Sequence, residues 1–494
     1  MSTDVFSFDN SYANLPERFF ASLSPSPVSS PRLIRLNDEL ARHLDLKPKD
    51  LRHTSGVEIL AGNRVPAGAK PIAMAYGGFQ FGHWVSQLGD GRAILLGEVI
   101  DTDGVRRDIQ LKGSGRTPFS RTGDGRAGLG PVLREYIVSE AMAALGISTT
   151  RSLAAVTTGE QILRESPMPG AILTRIAKSH VRIGTFQYFA ARRDIEALRL
   201  LADYVIERHY PSLAVSSQPY LELLQAVVDR QASLIASWQL VGFIHGVMNT
   251  DNMSIVGETI DYGPCAFMDM FHPETVYSSI DRMGRYAYCN QPAIAHWNLG
   301  GFAQTLLPLI AENDNDMVSE ITNIVNMFPK RFQDFYRSRS SRKIGLVEDL
   351  DGDDDLVEDL LDCMTSGRAD FTLTFRRLCK LQSVATEADE AFLALFDGKS
   401  EIMEWMIRWR KRLSAEHRPE VDRISDMNKV NPLFIPRNHV IEKVIRAAED
   451  GGNLDPFNTL VNMLANPYED QLGGKPYINP PSADEVVKET FCGT

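Results

Sequence analysis

A stretch in the middle of the chain, residues 244–263, combines residue types that can hold a divalent cation. It reads IHGVMNTDNMSIVGETIDYG. Asn252 offers a neutral carbonyl oxygen and Asp261 an anionic one, and both are oxygen ligands that suit Mg²⁺. Residues 253–260 predict a short hairpin that brings the two side chains to one edge, where Mg²⁺ (or Mn²⁺) can join them to a phosphate group. On spacing alone, the same residues also fit a turn with local side-chain caps.

The chain before this stretch predicts a strand that ends on a lysine. The apolar runs 93–100 and 105–111 flank the turn signal Asp103-Gly104, which is typical of a β-hairpin. Because side chains alternate along a strand, Gln110 and Lys112 share the face opposite to the apolar residues of the second run. We therefore expect Lys112 to lie at the end of a strand, on its polar face.

A glycine-rich stretch and then a helix follow Lys112. Residues 112–130 read KGSGRTPFSRTGDGRAGLG, which is too rich in glycine for a regular element and too polar for a core. Apolar residues then recur at helical spacing up to the stop signal Gly146. Glu135 lies in the first turns of this helix, so Lys112 and Glu135 are candidates for an ion pair between strand and helix. Taken singly, they also fit a surface lysine and a glutamate favoured by the helix dipole.

After about residue 185 the pattern becomes mostly helical. Helical periodicity covers residues 192–208, 219–241, 290–311, about 317–337 and most of 375–415. These patterns predict an α+β fold in two lobes, a β-rich lobe over residues 1–185 and a larger helical lobe over residues 186–494. A cleft between two such lobes is a usual ligand site.

The order strand-Lys, helix-Glu, His-Asn and Asp-x-Gly resembles the protein-kinase superfamily. In that layout the catalytic aspartate stands two residues after the histidine, but here Val247 follows His245 at that position. Valine cannot accept a proton. The nearest replacement is Asp251, immediately before Asn252. An atypical kinase that uses Asp251 as its base therefore remains one reading of these residues.

Longer motifs make the resemblance more specific. The chain resembles the selenoprotein O family, the pseudokinase-like protein adenylyltransferases. The segments that carry the resemblance are YGGFQFGHWVSQLGDGRA (76–93), QLKGSGRTPFSRTGDGRAGLGPVLREY (110–136), LTRIAKSHVRIGTFQYF (173–189), HGVMNTDNMS (245–254) and IDYGP (260–264). They cover both expected lobes, so the resemblance implies a protein-kinase-like, two-lobed fold.

The resemblance also implies an activity and a set of site residues. The family moves AMP from ATP to Ser, Thr or Tyr hydroxyls of proteins, itself among them, with the nucleotide flipped relative to a kinase. Asp251 corresponds to its proton acceptor, Asn252 and Asp261 to its Mg²⁺ ligands, and Lys112 to the phosphate-binding lysine paired with Glu135. Its other nucleotide contacts correspond to Gly89, Gly91, Arg92, Asp124, Gly125, Arg175 and Arg182. A variant that uses UTP, or a non-catalytic nucleotide-binding pseudokinase, remains open.

The composition limits the partners. The chain has 494 residues, 52 Lys and Arg against 64 Asp and Glu, and a net charge of −12. This balance argues against a nucleic-acid partner, which needs a dominant basic face. Neither a membrane span nor a secretory signal is recognisable. The five cysteines are too few for a disulfide scaffold, so we expect a cytoplasmic protein.

Two further segments bear on metals and redox chemistry. The acidic run 348–362 lacks the glycine and glutamate positions of an EF-hand, which favours a solvated loop and helix start. Some members of the selenoprotein O family pair a cysteine near the C-terminus with one in the activation-loop region. Cys492 has the first position, but Tyr277 occupies the expected partner position, which argues against that disulfide here.

Overall fold

The structure is a computed structural model that describes residues 5–311, 315–348 and 350–491. In this part of the chain it combines an antiparallel sheet region with many helices. The strands are β1 Phe20–Ser22, β2 Arg32–Leu36, β3 Ile72–Met74, β4 Gly78–Gln80, β5 His83–Val85, β6 Ala93–Ile100, β7 Arg106–Lys112, β8 Ala127–Gly128, β9 Arg151–Leu163, β10 Pro167–Ala177, β11 Phe243–Ile244 and β12 Ala266–Phe267.

The helices lie mostly after the sheet in the sequence. They are α1 Asp38–His43, α2 Pro48–Arg52, α3 Thr54–Leu60, α4 Leu129–Ala144, α5 Ile183–Ala191, α6 Ile195–His209, α7 Pro219–Leu240, α8 Gln291–Ile310, α9 Asn315–Asn326, α10 Phe328–Lys343, α11 Asp353–Ser366, α12 Phe371–Leu378, α13 Ala388–Leu393, α14 Ser400–Leu413, α15 Glu420–Val430, α16 Asn438–Gly451, α17 Asp455–Leu464 and α18 Lys475–Ile478. The described chain is thus a mixed α and β protein.

The main sheet has the strand order β1-β3-β6-β7-β10-β9-β2, with β8 paired to β10. The predicted hairpin is confirmed as β6 and β7, which pair antiparallel with Ala93 opposite Lys112. Ile109 and Leu111 are fully buried in a core that also contains residues of α1, α2 and α3. Gln110 and Lys112 therefore lie on the other face, as the alternation of the strand predicts.

Helix α4 packs against β9 and β10 on one side and against α16 and α17 on the other. The C-terminal helices hold it through polar contacts as well, because the Gly130 N–H donates to Glu449 over 3.0 Å. Arg134 also forms an ion pair with Glu442. This two-sided packing fixes the helix that carries Glu135.

Several helix predictions are confirmed and others are wrong. Helix α7 begins with Pro219 in its first turn, where a missing N–H costs nothing. The pattern over 317–337 is two helices, because Pro329 in the first turn of α10 lacks the N–H that a continuous helix would need. The pattern over 375–415 is likewise broken into α12, α13 and α14, and α5 was not predicted at all.

The acidic run is a loop and helix start within its described part, but it is not solvated throughout, because Asp353 is buried and paired with Arg412. Gly352 caps α11 with a φ of 90°, and Asp353, Asp354 and Asp355 fill the first turn. Carboxylates there are favoured by the helix dipole.

None of the helices in the described ranges is long and apolar enough to cross a membrane.

Candidate nucleotide and metal site

The sequence-predicted site residues come together around one pocket of about 740 Å³. Its lining combines cationic, anionic and glycine residues from both sheet and helical parts of the chain. The predicted residues on this lining are Gly89, Gly91, Arg92, Lys112, Asp124, Gly125, Arg175, Arg182, Asp251, Asn252 and Asp261. Glu135 lines a smaller neighbouring pocket that also includes Arg92 and Lys112. A volume of this size suits a small-molecule ligand.

Asp261 is the centre of the charge network. Its Oδ1 accepts from Arg175 Nη2 over 2.7 Å and lies 3.3 Å from Lys112 Nζ, while its Oδ2 accepts from Arg182 Nη1 over 2.9 Å. Burial opposes the charged form, but Arg175, Lys112 and Arg182 together hold the pKa of Asp261 well below its usual value. The carboxylate is therefore ionised at neutral pH.

The backbone at Asp261 is strained. Its φ is 62°, in the left-handed region that residues other than glycine seldom adopt. Such strain persists only where the surroundings over-determine the conformation, and it is often found at functional positions. Lys112, Arg175 and Arg182, which together contact both carboxylate oxygens of Asp261, supply this constraint.

Glu135 is the second anion of the network and is 3% exposed. Its Oε2 accepts from Lys112 Nζ over 2.6 Å, and its Oε1 accepts from Arg175 Nε over 2.9 Å. Burial raises the pKa of Glu135, yet Arg175 and Lys112 lower it by more, so the net shift is downward. The geometry contains the strand–helix ion pair that the sequence predicts and adds Arg175 to it.

Glu135→Gln is expected to lower the free energy of unfolding by about 3 kcal/mol, because one partner of a buried ion network is removed and the charges of Lys112 and Arg175 lose a carboxylate. Urea denaturation of the variant and the parent measures the difference. Glu404→Gln, on the exposed side of α14, is the matched control. A loss no larger than that of the control would contradict the network's structural role.

Arg182 is held at the start of α5, where it is the N-cap residue. Its guanidinium lies 4.5 Å above the centre of the Tyr76 ring, and its Nη1 also donates to the backbone oxygen of Asp251 over 2.7 Å. The residue is only 2% exposed. From the sequence, this arginine could also form a surface or structural ion pair. Its burial excludes the surface pair, and its 2.9 Å contact with Asp261 is a structural ion pair that is compatible with phosphate binding.

Asp251 is a buried carboxyl group, 7% exposed, at the base of the pocket. Its Oδ2 accepts a 3.2 Å hydrogen bond from Nε2 of Gln80. Its Oδ1 is buried and has no hydrogen-bond partner among the described residues. Burial raises the pKa of Asp251 to about 6, against the effect of Arg182. A carboxylate with this pKa and an unoccupied acceptor can take a proton near neutral pH.

A small hairpin that sequence reasoning missed holds this loop in place. Strands β4 and β5 pair with each other. The Phe79 N–H donates to Thr250 Oγ1 over 2.8 Å, and the Phe81 N–H donates to Asn249 Oδ1 over 3.1 Å. Gln80 lies between these two anchors and reaches Asp251. The hairpin lies in the motif at residues 76–93, but its contacts join positions about 170 apart, which no local pattern indicates.

The segment between Asn252 and Asp261 differs from the predicted hairpin. Only a single antiparallel bridge, Met253 to Thr259, joins its two arms, and Thr259 also pairs with Thr149. The N–H of Thr259 donates to the backbone oxygen of Ser148. Part of the backbone hydrogen bonding of this arm therefore goes to the segment around Ser148 and not to the opposite arm. His245 supports the end of the segment, because its Nε2 donates to the oxygen of Ile260 over 2.9 Å.

Asn252 presents an oxygen ligand to the pocket. Its Nδ2 donates to the backbone oxygen of Val247 over 2.9 Å, so its Oδ1 carbonyl keeps its capacity to bind a cation. In the described ranges, no group of three or more His, Cys, Asp and Glu side chains could hold a metal ion. Asn252 and Asp261 nevertheless fit Mg²⁺ or Mn²⁺, which commonly take few protein oxygens and complete their shell with phosphate and water.

The two glycine loops form the rim of the pocket. Gly89 has a φ of 72°, and a Cβ there would meet the Phe119 ring at 2.2 Å. Gly125 has a φ of 70°, and a Cβ there would lie 2.1 Å from the backbone oxygen of Gly115. Asp124 forms a 2.9 Å ion pair with Arg164, another pocket residue that the sequence did not single out. Glycine is thus required for these two loops to pack tightly.

Four of the five cysteines lie in the described residues and are free thiols: Cys265, Cys289, Cys363 and Cys379. Cys492 lies outside the described residues. The chain just before it runs beside Tyr277, because the Thr490 N–H donates to the Tyr277 oxygen over 2.7 Å. The described end of the chain therefore lies beside the position where the resemblance places the partner cysteine, and that position is occupied by the buried Tyr277.

Comparisons with known proteins agree on one class. The family model "Protein adenylyltransferase SelO" matches residues 4–465. A "Protein nucleotidyltransferase YdiU" of Bradyrhizobium diazoefficiens is 60% identical over 489 residues, with 99% of each chain covered. A protein of the same name from Rhodopseudomonas palustris (strain HaA2) is 58% identical over 489 residues, again with 99% of each chain covered.

The fold, the charged pocket and these relatives define the class of protein as a nucleotidyltransferase. Within that class, the chain belongs to the SelO family of protein adenylyltransferases.

Proposed function

We propose that this protein transfers AMP from ATP to Ser, Thr or Tyr hydroxyls of proteins and releases pyrophosphate. The observation that carries the proposal is the position of Asp251. It is a buried carboxyl group with an unpartnered Oδ1, in the same pocket as three buried cations. Val247 lines this pocket at the position where a kinase has its catalytic aspartate, so the usual base for γ-phosphoryl transfer is missing.

In the proposed reaction, Lys112, Arg175 and Arg182 hold the phosphate chain of ATP. Arginine and lysine bind phosphate oxygens with charge-assisted hydrogen bonds, and this stabilises the negative charge that accumulates on departing pyrophosphate. Phosphate oxygens replace Asp261 as acceptors for these cations. This exchange leaves the carboxylate of Asp261 available as a metal ligand.

Asn252 and Asp261 would hold the divalent cation. Mg²⁺ or Mn²⁺, when bound, neutralises phosphate charge and favours attack on phosphorus. Asp251 accepts the proton of the acceptor hydroxyl through Oδ1, while Gln80 and the pocket wall hold its other oxygen. The hydroxyl oxygen then forms a bond to the α-phosphorus as the bond from that phosphorus to pyrophosphate breaks.

The two-lobed, kinase-like arrangement and the flipped nucleotide are part of the same proposal. Under it, residues 1–185 and 186–494 form the two lobes, and the rim loops at Gly89–Arg92 and Asp124–Gly125 contact the nucleotide. Both loops line the main pocket, where their backbone N–H groups can bind phosphate, and this supports the assignment. The cytoplasmic location stays a prediction.

Incubation with ATP labelled at the α- or at the γ-phosphate tests the proposal. We expect label from the α-position to enter protein, with an AMP-sized increase in intact mass, because the base and the cations are arranged for loss of pyrophosphate. Label that enters only from the γ-position would identify a kinase and overturn the proposal. The absence of label with nucleotide still bound would identify a non-catalytic pseudokinase.

Competition between ATP and UTP determines which nucleotide the protein prefers. The relatives' names state nucleotidyl transfer without naming the nucleotide. A preference for UTP would replace AMP by UMP in the proposal and leave the roles of Asp251 and the cations unchanged.

A further inference from the structure

A second pocket, of about 600 Å³, is lined by six cationic residues and, among the described residues, by no Asp or Glu. It lies between α7, α10, the end of α15 and the loops at residues 145–148 and 256–257. The cationic residues are Lys178, Arg230, Arg339, Arg342, Lys343 and Lys429. In a chain whose net charge is −12, such a one-sided lining is unusual.

Most of these cations have no carboxylate partner. Lys429 lies 3.0 Å from Asp426. For the other five, the described part of the chain contains no Asp or Glu oxygen within 4.0 Å of the charged nitrogens. By contrast, Arg175 and Arg437, which are fully buried in other parts of the fold, are paired with Glu135 and Asp370. Lys343 adds little fixed charge, because burial lowers its pKa to about 7, and Lys178 acts electrostatically on the buried Glu258. The charges in the pocket that no described carboxylate contacts are therefore mainly those of Arg230, Arg339 and Arg342.

Arg339 shows the arrangement most clearly. Its guanidinium donates to the backbone oxygen of Ser233 over 2.9 Å, to Ser233 Oγ over 2.7 Å and to Ser237 Oγ over 2.6 Å. All these acceptors are neutral. Burial and the neighbouring Arg342 lower the pKa of Arg339, as expected where positive charge is crowded. The serines thus orient Arg339 without neutralising it, and the guanidinium N–H groups that they leave over can bind an anion.

The other cations contribute unequally. Arg342 is exposed. The guanidinium of Arg230 lies 4.1 Å from the ring centre of Tyr210, and its Nη2 donates to the backbone oxygen of His209 over 3.4 Å. Lys343 is buried with its Nζ 4.2 Å from the ring centre of Phe375, so it turns partly away. Glu258 is a nearby carboxyl group, and its Oε2 is occupied by the backbone N–H of Lys178.

We propose that this pocket is a second anion-binding site, which takes a small molecule with two or more phosphate groups. The volume is much larger than one phosphate requires and suits a ligand of nucleotide size. Leu234, Val241, Val256 and Tyr468 provide apolar wall for a ring, while the cations provide for the phosphates. A nucleoside diphosphate and inorganic pyrophosphate share this chemistry.

The site adjoins the segment that ends at Asp261. Val256 and Gly257 line this pocket, and Asp261 lines the main pocket four residues further on. Thr259, between them, is bound through its N–H to the oxygen of Ser148, another residue of the second pocket. A ligand here would therefore contact the same segment that positions the proposed metal ligand.

Hydrogen exchange with mass spectrometry locates the binding, using inorganic pyrophosphate in one arm and ADP in the other, without divalent metal. We expect either probe to slow exchange in peptides that cover residues 230–241 and 339–343, in addition to peptides of the main pocket. Isothermal titration is expected to find two sites for the parent protein. Protection with ADP alone would show that the ring is needed, and protection with both that the phosphates suffice; each supports the proposal.

The double variant Arg339→Gln, Arg342→Gln is expected to weaken the second site by about ten- to a hundredfold, since a lost charge-assisted bond is worth up to about a factor of ten. The single variant Arg342→Gln, at an exposed position, guards against a folding defect and is expected to weaken it severalfold. Lys330→Gln, on the same helix and outside the pocket, is the matched control. The proposal is overturned if neither probe slows hydrogen exchange at residues 230–241 and 339–343. It is also overturned if the double variant binds the probes at the second site as tightly as the parent. Both readouts are independent of nucleotidyl transfer.

Discussion

Asp261→Ala is expected to reduce nucleotidyl transfer by about 10²–10³-fold, the usual effect of removing one preorganised charge from a transition-state site. The proposed metal loses its only anionic protein ligand, so the Mg²⁺-dependent part of ATP binding should disappear. Binding of ATP without metal should survive or strengthen, because Lys112, Arg175 and Arg182 lose the internal anion that now occupies them. Initial rates, together with titrations of ATP in the presence and absence of Mg²⁺, measure both effects.

Two further variants make this result interpretable. Asp261→Asn preserves the size of the side chain and is expected to show the same loss of the Mg²⁺-dependent binding, which separates the metal role from a folding defect. Asp450→Ala changes an exposed aspartate at the end of α16 and should leave rates and binding unchanged. Full activity in both Asp261 variants would show that the site is wrongly assigned.

Asp251→Asn is expected to lower the rate of transfer by about 10²–10⁴-fold, the range that a general base contributes. ATP and metal binding should remain close to those of the parent, because Arg182 contacts the backbone oxygen of Asp251 and not its carboxylate. The change therefore separates proton acceptance from substrate binding. Single-turnover rates and nucleotide titrations, made on the same preparation, provide the comparison.

The pH dependence gives a second signature of Asp251. Only the ionised carboxylate accepts a proton, so the parent rate should fall as the pH drops through the pKa of this group. Burial raises that pKa to about 6 in the metal-free protein, and a cation at Asn252 would lower it from that value. The acid limb should therefore lie at or below pH 6 and be absent from the residual activity of Asp251→Asn. An unchanged limb in the variant would assign it to another group.

The local elements of the site could be predicted because local patterns determine them. Strand alternation places Lys112 opposite the apolar face of β7, and helical periodicity with Gly146 as a stop signal bounds α4 around Glu135. Hydrophobic burial imposes both periods on the sequence directly. The order of the elements predicts the pairing of Lys112 with Glu135, and the two side chains form this ion pair in the structure.

Two parts of the site could not be predicted, and the reason is long-range packing. The β4–β5 hairpin reaches the loop at Asp251 through Gln80, a contact between positions 171 apart. The second pocket collects its cations from several separate helices and loops. Neither of these leaves a periodic signal. The break in the long pattern before α10 is a separate miss with a local cause, because Pro329 outweighs the helical periodicity around it.

By itself, the sequence determined the types of the main elements, the order of the chemical residues and the family to which the chain belongs. These follow from local periodicity and from motifs read along the chain. Only the tertiary structure decided that Asp261 is gripped by three cations, that Asp251 is buried with a free acceptor and a raised pKa, and that a second cationic pocket exists. The physical reason is that charge, burial and pKa depend on which distant side chains share a low-dielectric space, and only the folded packing brings them together.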